Sequence, residues 1–347
     1  MKLVRPTKAM VLAAGLGTRL HPITLEIPKP LVEVLNVPNI LHSLFLLKKA
    51  GIREVIVNLH YLPEKIERFL GNGSAWGLHI EYSRESVLLG TGGGLKKAEP
   101  FFNSEPFLLV NCDFVSNTDL LPIIDQHLAR KAIGTMVLYQ NPFLQPLYSE
   151  VGVDANENLC SLPGKQIAPP VASGIFTGIH ILGSEVFHYL SEKPCGINEV
   201  LYPALMQQSP QKIYGHFMKG FWRDTGDLPA LWKTSIDLMS LLCEGDPTLR
   251  EFMETFGHYR EVKENIWLAQ GETIPKGLHG IGPLILGKQI QCASETRVGP
   301  QVILSDFTKV GPGTTLSQCL ALGRAEISLE VKAQRFIQYH RTTLEIS

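Results

Sequence analysis

The sequence has almost no net charge and no long hydrophobic run. Its 347 residues include 32 lysines and arginines against 33 aspartates and glutamates, a formal net charge of −1. No basic cluster is interleaved with aromatic residues, which argues against an electrostatic nucleic-acid surface. No apolar run approaches the roughly 18 residues of a membrane-spanning helix, and the apolar stretch near the start is too short for a signal peptide. We therefore expect a cytoplasmic protein without membrane or nucleic-acid partners.

Cysteine pairs at metal-binding or redox spacing are also lacking. No two cysteines form a C-x-x-C motif. The six are Cys112, Cys160, Cys195, Cys243, Cys292 and Cys319. Cysteines spread so widely are typical of reduced, mostly buried thiols, and they argue against a zinc site or a disulfide framework.

What the sequence does contain is a glycine loop after a short apolar strand. The strand is predicted from Lys8 to Ala14; Gly15 and Gly17 follow it, and then Arg19 and Lys29. The glycines let backbone N–H groups approach an anion closely, and the two cations add full positive charge. The third glycine of the dinucleotide fingerprint is absent, and no Gly-Lys-Ser/Thr follows, so neither that loop nor a P-loop is predicted. The segment predicts an anion site of another kind.

The run LAAGLGTRLHPITLEIPKP, from Leu12 to Pro30, resembles the signature of the sugar-phosphate nucleotidyltransferases, the nucleoside-diphosphate-sugar pyrophosphorylases. The shared pattern is Gly-x-Gly-Thr-Arg, a proline, a threonine and then Pro-Lys-Pro. This resemblance implies that Arg19 contacts the β- and γ-phosphates of a nucleoside triphosphate, and that Lys29 bridges the α-phosphate and the sugar phosphate. It assigns nucleotide binding to Leu12, Ala13, Ala14, Gly15, Gly17 and Thr18.

Strand-like and helix-like runs alternate from Lys8 to about Leu182. This alternation predicts an α/β fold with a doubly wound, mostly parallel sheet. Ligands of such sheets bind beyond the carboxyl ends of the strands, which is where the glycine loop is expected. The resemblance implies the same Rossmann-like nucleotidyltransferase fold.

Two aspartates are candidates for holding a divalent metal. Nucleotidyl transfer brings two anions together and so needs cations more than a general base; Mg²⁺ prefers carboxylate and phosphate oxygens. Asp113 follows the predicted strand FLLVNC, and Asp224 lies in the turn WRDTGD. By itself each could be a turn or cap residue. The resemblance implies that both bind the metal, and Asp227 ranks lower because it lies beyond the turn.

A second glycine cluster, SRESVLLGTGGGLKKA, follows the strand LHIEY. Alone it could be a flexible loop. It resembles a guanylyltransferase segment that faces base and sugar, which implies nucleotide binding by Glu85, Gly90 and Thr91. Glu85 would accept both N–H groups on the Watson–Crick edge of guanine, which uracil or thymine cannot supply in the same way. Uridine and thymidine families commonly have glutamine here, but the muramyl-phosphate uridylyltransferases also have a glutamate, so uridine stays open.

The sugar pocket is assigned by resemblance alone. Segments similar to those of bacterial mannose-1-phosphate guanylyltransferase-like proteins imply sugar binding by Gly152, Thr177, Gly178, Glu199 and Trp222. A Glu-Lys-Pro triplet that many relatives carry before the FTGIHIL position is absent. Lys165 is the candidate replacement; the alternative is that this phosphate contact is missing, which leaves the sugar open.

The last part of the chain has a period of six residues. Every sixth residue is apolar and is followed by a small one, at Leu286, Cys292, Val298, Leu304, Val310, Leu316 and Leu322. This is the hexapeptide repeat of a short left-handed parallel β-helix, in which each of these apolar residues points inward; about 18 residues per coil allow two or three coils. Such a short stack would gain from packing on a neighbour, so a homo-oligomer through the β-helix is considered.

Four segments are expected along the chain. They are a nucleotidyltransferase catalytic domain at 1–237, a helical connector at 238–280, the β-helix at 281–326 and a C-terminal tail at 327–347. With 44% hydrophobic residues, a chain of this length can bury the core of such a multi-segment protein.

The expected reaction is Mg²⁺-assisted transfer of a nucleotidyl group from an NTP, by preference GTP, to a hexose 1-phosphate, by preference mannose 1-phosphate. Uridylyl or thymidylyl transfer to a glucose, N-acetylhexosamine or muramyl-type sugar 1-phosphate is the alternative on the same fold. A non-catalytic regulatory subunit that binds nucleotide sugar is disfavoured, because both cations and both aspartates are present. A separate acyltransferase in the β-helix is disfavoured because few coils leave no room for an acyl-donor cleft.

Overall fold

The computed structural model describes residues 5–328 and 335–346. The ends of the predicted segments 1–237 and 327–347, together with 329–334, lie outside the described residues. The chain divides into unit 1, Met1–Leu16 with Ser43–Trp222, and unit 2, Gly17–His42 with Arg223–Ser347. Each unit combines two stretches of chain, whereas the predicted segments follow chain order; their boundaries stay predictions.

The chain up to Asp224 contains fourteen strands and six α-helices among the described residues. The strands are β1 Lys8–Leu12, β2 Glu33–Val34, β3 Val37–Pro38, β4 Glu54–Leu59, β5 His79–Arg84, β6 Phe107–Asn111, β7 Phe114–Ser116, β8 Gly134–Tyr139, β9 Glu150–Val153, β10 Leu159–Leu162, β11 Lys165–Gln166, β12 Ala172–Leu182, β13 Ile213–Phe217 and β14 Trp222–Asp224. The α-helices are α1 Asn39–Lys49, α2 Pro63–Leu70, α3 Gly90–Lys97, α4 Glu99–Phe102, α5 Leu121–Ala129 and α6 Ile197–Gln208. Short 3₁₀ helices lie at Thr18–Leu20, Ile23–Leu25, Lys29–Leu31, Ser74–Trp76, Gln145–Leu147, Ser184–Tyr189 and Pro210–Lys212.

Unit 1 contains a ten-stranded mixed sheet. One side of it consists of four parallel strands in the order β6-β1-β4-β5, with β5 at the edge. The long strand β12 is antiparallel to β6, β8 and β9, and β10 is antiparallel to both β9 and β11. Short connections without a helix can join only antiparallel strands, which explains this part of the sheet. The α/β prediction is confirmed, in a mixed sheet with the parallel strands on one side.

The core of unit 1 lies against these parallel strands. Met10 of β1 and Leu109 of β6 are fully buried, as expected for strands covered on both faces. The rings of Phe102 and Phe107 stack with centroids 3.9 Å apart, and Phe187 stacks on Phe107 at 5.5 Å. Burying one such side chain contributes about 1.5–3 kcal/mol. This packing anchors the amino end of β6, where Phe107 is the first residue.

The chain beyond Asp224 belongs to unit 2. Its helices are α7 Leu228–Cys243 and α8 Pro247–Thr255. Its strands are β15 Tyr259–Lys263, β16 Ile266–Ala269, β17 Leu278–Gly280, β18 Leu284–Leu286, β19 Gln291–Cys292, β20 Thr296–Val298, β21 Val302–Leu304, β22 Lys309–Val310, β23 Thr315–Leu316, β24 Cys319–Leu322, β25 Glu326–Ile327, β26 Phe336–Tyr339 and β27 Thr342–Glu345. The segment 238–280, expected to be a helical connector, thus also contains three strands, β15, β16 and β17. The aromatic and β-branched residues of β15 and β16 favour extended backbone. Among the described residues, no helix is long and apolar enough to cross a membrane.

Three sheets form the parallel β-helix. They are β16-β18-β21-β24-β26, with β15 and β27 antiparallel at its edges, then β17-β20-β23 and β19-β22-β25. Pairs in the first coils are eighteen residues apart, as in Leu286 opposite Leu304 and Val298 opposite Leu316. This spacing confirms the predicted coil length.

The repeat shifts by one residue after Leu316. Leu304 lies opposite Ala321, and Ala321, not Leu322, belongs to the inner apolar cluster. The prediction of an inward Leu322 is therefore wrong. The reason is a shorter corner: two residues separate β23 from β24, whereas three separate β20 from β21.

Candidate active site

Unit 1 brings the start of the glycine loop and the strand before Asp113 to one edge of the sheet. Leu12 ends β1 and lies opposite Asn111, which ends β6. Asp113 follows two residues later and is half-buried. Beyond Leu12, Ala14 is buried, whereas a Cβ on Gly15 would meet nothing within 4 Å. The loop therefore leaves the sheet through a packed segment and becomes open at Gly15.

Glu85 is buried, and both of its carboxylate oxygens accept hydrogen bonds from the protein. Oε1 accepts from Asn58 Nδ2 at 2.8 Å, and Oε2 accepts from Leu89 N at 2.9 Å. Asn58 Oδ1 in turn accepts from Ala13 N at 2.8 Å. The predicted contact between Glu85 and guanine stays a prediction. Asn58 was not predicted as a site residue. Like Asp113, it is a polar residue near the end of an apolar strand, and this signal could have identified it.

The second glycine cluster begins helix α3. Gly92 N donates to Cys195 O at 2.9 Å, and Ile197 N donates to Thr91 Oγ1 at 2.8 Å. A Cβ on Gly90 would lie 2.6 Å from Cys195 O, and one on Gly92 would lie 2.9 Å from Cys195 Sγ. Glycine at these positions lets α3 pack directly on the segment that leads into α6. The hydroxyl oxygen of Thr91 thus accepts a hydrogen bond from the first backbone N–H of α6.

Two of the predicted sugar residues, Thr177 and Trp222, are in direct contact. Trp222 Nε1 donates to Thr177 O at 2.8 Å, and Thr177 Oγ1 donates to Val137 O at 2.8 Å. The register of β12 is irregular here. Gly178, the residue after Thr177, has φ +84°, and a Cβ on it would lie 3.0 Å from Asn111 Nδ2. Glycine at this point lets β12 pass close to the end of β6.

The other predicted sugar residues lie in different elements. Gly152 is in β9, where a Cβ would lie 2.6 Å from Pro170 Cβ. Glu199 is exposed in the first turn of α6, and its side chain folds back over Gly196, the residue that caps this helix. Lys165 is half-buried in β11. Their roles in sugar binding stay predictions.

Unit 2 holds the rest of the glycine loop. Gly17 has φ +68°, and a Cβ on it would lie 2.9 Å from Lys29 Cβ. Thr24 Oγ1 donates to Gly17 O at 2.7 Å. Arg19 lies in the 3₁₀ turn that Gly17 begins, and Lys29 begins another such turn. Glycine at position 17 therefore allows these turns to pack together.

Arg19 lies beside the turn that contains Asp224. A Cβ on Gly226 would lie 2.6 Å from Arg19 Nη2 and 3.0 Å from Asp224 Oδ1. Asp224 Oδ1 accepts from Gly226 N at 3.0 Å. Asp227 Oδ2 is 3.8 Å from Arg19 Nη1, while its Oδ1 accepts from Ala230 N at 2.9 Å and caps α7. No local pattern reveals this contact between residues so distant in the chain.

Comparison with known proteins gives the family. The model of the nucleotidyl transferase family matches residues 8–240, which is more than half of the chain. The chain belongs to the nucleotidyl transferase family. The matched range spans the glycine loop and the turn of Asp224 and includes residues of both units.

Relatives of this nucleotidyl transferase are known by sequence and by structure. The mannose-1-phosphate guanylyltransferase of Mycobacterium tuberculosis is 30% identical over 298 residues, covering 85% of this chain and 79% of that protein. The mannose-1-phosphate guanyltransferase of Kluyveromyces lactis is 31% identical over 243 residues, covering 69% and 67%. The crystal structure of HddC from Yersinia pseudotuberculosis matches with a TM-score of 0.56 at 22% identity, covering 66% of this chain and 98% of that one. This structural likeness shows a shared fold.

Each predicted metal ligand of this nucleotidyl transferase is chemically suited to a hard divalent cation. Asp113 and Asp224 are half-buried carboxylates. Within residues 5–328 and 335–346, no group of three or more histidines, cysteines, aspartates and glutamates could hold a metal ion. Mg²⁺ is commonly bound by one or two carboxylates together with phosphate oxygens of a substrate. The carboxylates therefore fit a metal that arrives with a nucleotide.

Proposed function

We propose that this chain is a mannose-1-phosphate guanylyltransferase. The observation that carries the proposal is the identity of 30% and 31% to two relatives of that name, one of which aligns with 85% of this chain. A phosphate oxygen of mannose 1-phosphate forms a bond to the α-phosphorus of GTP. The bond from that phosphorus to the bridging oxygen breaks, and the oxygen leaves with the electron pair as part of pyrophosphate. GDP-mannose is the other product.

The cations of the glycine loop answer the main physical difficulty, which is the repulsion between two anions. In this proposal Arg19 binds the β- and γ-phosphates, and Lys29 binds the α-phosphate and the sugar phosphate. Positive groups held in position stabilise charge that builds up in a transition state. The close packing of Gly17 on Lys29 supports a fixed position for the lysine.

We assign the metal to Mg²⁺, with Asp113 and Asp224 as its ligands. When bound, such an ion neutralises phosphate charge and helps to orient the reacting groups. The contribution of the chain is to present the carboxylates. Asp113 follows the end of β6, and Asp224 is oriented by the N–H of Gly226.

Sugar binding is proposed near the irregular part of β12. Trp222 is held there by its bond to Thr177 O, and the ring of Tyr148 meets it edge to face at 5.5 Å. Rigid aromatic side chains held in this way are well suited to line a small-molecule site. We also propose a cytoplasmic location, because the six cysteines, all in the described part of the chain, are reduced thiols. Association of copies through the β-helix stays a prediction.

Pyrophosphate release from purified protein tests the proposal. GTP, ATP, UTP, CTP and dTTP would each be paired with mannose, glucose and N-acetylglucosamine 1-phosphate in the presence of Mg²⁺. We expect the highest kcat/KM for GTP with mannose 1-phosphate, and loss of release in Lys29→Ala. A higher kcat/KM for UTP or dTTP would assign the chain to the alternative transfer reaction. No turnover with any pair would overturn the catalytic proposal.

A further inference from the structure

We propose that Asn58 and Glu85 form a hydrogen-bonded relay that positions both glycine segments, and that Glu85 acts through this relay instead of reading the base. The relay runs from Ala13 N to Asn58 Oδ1, from Asn58 Nδ2 to Glu85 Oε1, and from Leu89 N to Glu85 Oε2, over 2.8, 2.8 and 2.9 Å. The kinetic test of this relay rests on the proposed function, because it requires turnover. A second test uses the ligand-free protein and does not rest on that function.

The relay crosses the ends of three parallel strands. Ala13 follows β1, Asn58 lies near the end of β4, and Glu85 comes directly after β5. These strands are neighbours in the order β1-β4-β5. Leu89 is the residue before α3, where the second glycine cluster begins. One side-chain pair therefore ties the start of the first glycine loop to the start of the second.

Glu85 is held on its backbone as well as its side chain. Its N–H donates to Leu59 O at 2.7 Å, and His60 Nδ1 donates to its carbonyl oxygen at 2.9 Å. Only 5% of Glu85 and 2% of Asn58 are exposed. Because both oxygens of Glu85 already accept hydrogen bonds and so little of the residue is exposed, its carboxylate presents little surface to a base.

The direction of each hydrogen bond explains why these residue types are present. The N–H groups of Ala13 and Leu89 can only donate, so Asn58 must turn its oxygen to Ala13 and its NH₂ to Glu85. Glu85 must then accept at both oxygens. A carboxylate accepts at both ends, whereas a glutamine of the same length accepts at one and donates at the other. Glutamate is thus required here without reference to guanine.

Helix α3 encloses the relay at Gly94. A Cβ on Gly94 would lie 2.6 Å from Glu85 Oε1 and 3.1 Å from Asn58 Nδ2. Only glycine leaves space for the pair at this position. The glycine cluster therefore serves the relay as well as the contact with the segment before α6.

An exchange of the two residue types tests the relay. In Glu85→Gln an NH₂ group faces the NH₂ of Asn58, and in Asn58→Asp two carboxylates face each other. The double variant, which combines Asn58→Asp with Glu85→Gln, keeps every donor opposite an acceptor. Its carboxylate at position 58 accepts from Ala13 N and from the amide at position 85, and the oxygen of that amide accepts from Leu89 N. Because the charge of the pair is also unchanged, the double variant should restore what each single variant loses.

Two measurements are combined. The first is kcat/KM with GTP and with ITP, which lacks the 2-amino group of guanine. Each single variant should lose about tenfold or more with both nucleotides, leaving their ratio unchanged, and the double variant should recover most of the loss. The second is hydrogen exchange of the Ala13 and Leu89 amides in the ligand-free protein, which should quicken in the single variants and slow again in the double variant.

Thr135→Val is the matched control. It removes a buried 2.9 Å hydrogen bond to His127 elsewhere in unit 1 and should lower stability without changing kcat/KM.

If Glu85→Gln abolishes the preference for GTP over ITP while amide exchange is unchanged, Glu85 reads the base and the relay proposal is wrong. A double variant no better than the single variants would also overturn it. If the wild type turns over no substrate pair, the proposed function fails and amide exchange alone decides on the relay.

Discussion

Gly17 and Lys29 are packed so closely that a Cβ on Gly17 would lie 2.9 Å from the Cβ of Lys29. Gly17 also has φ +68°, a left-handed backbone conformation that favours glycine. Both observations exclude an ordinary side chain at position 17. The placement of Lys29 therefore depends on a glycine twelve residues earlier in the same loop.

Gly17→Ala should lower the unfolding free energy by about 1–3 kcal/mol, because the left-handed backbone and the close contact both add strain. It should also lower kcat by displacing Lys29. Gly15→Ala is the control, since a Cβ there meets nothing within 4 Å; its unfolding free energy should change by less than about 0.5 kcal/mol. Urea unfolding and initial rates measure both effects. Equal destabilisation by the two substitutions would contradict this explanation.

Asp224→Asn should reduce kcat by at least about a hundredfold with the fold intact, because it removes a carboxylate proposed to hold the metal. Asp227→Asn should stay near the wild type in activity and in stability, because asparagine caps a helix as well as aspartate does. Pyrophosphate release and thermal melting of the two variants would be compared side by side. A larger loss of activity in Asp227→Asn would move the metal assignment to Asp227.

Glu33 takes part in a hydrogen-bond network that favours its protonated form. Ser305 Oγ lies 2.5 Å from Glu33 Oε2 and 2.9 Å from Asn36 Oδ1, while Asn36 Nδ2 donates to Leu304 O. One hydroxyl hydrogen cannot serve both acceptors, so a proton on Glu33 completes the network. Burial raises the pKa of Glu33; the hydrogen bond from Ser305 lowers it, and the charge of Asp306 raises it further.

The raised pKa makes stability depend on pH in a defined direction. Stabilisation by Glu33 is complete below the ordinary glutamate range and is lost as the pH rises through the raised native pKa. Glu33→Gln cannot ionise, so its unfolding free energy relative to the wild type should increase on going from about pH 5 to about pH 8. Urea unfolding at both values measures this difference. A difference that is constant with pH would show that Glu33 does not titrate in this interval.

Leu304→Ala should destabilise the protein by about 2–5 kcal/mol, because Leu304 is fully buried inside the β-helix. Lys309→Ala is the control in the same coil. The ion pair of Lys309 with Glu326, at 3.7 Å, is exposed and should be worth less than about 1 kcal/mol. Thermal melting ranks the two variants, and the reverse order would contradict the inward position of Leu304.

The local secondary-structure elements were predicted closely from the pattern of apolar residues and glycines. The strand Lys8–Leu12 begins at the predicted residue and ends two residues before the predicted Ala14, and the strand Phe107–Asn111 ends one residue before the end of the predicted FLLVNC. Such elements depend on residues near in the chain, through apolar spacing and terminating glycines. The antiparallel pairing of β12 with three strands could not be predicted in this way, because it depends on partners far apart in the chain.

The sequence by itself determined the family and the β-helix. The glycine-loop signature is one continuous run, and the period of six repeats the same inward position in each coil. Only the tertiary structure decided which atoms those residues meet. It set Arg19 beside Asp224, engaged both oxygens of Glu85 with Asn58 and Leu89, and moved the inward position from Leu322 to Ala321. Patterns along a chain report short-range preferences, whereas burial, hydrogen-bond partners and corner lengths are set by the packing of residues distant in sequence.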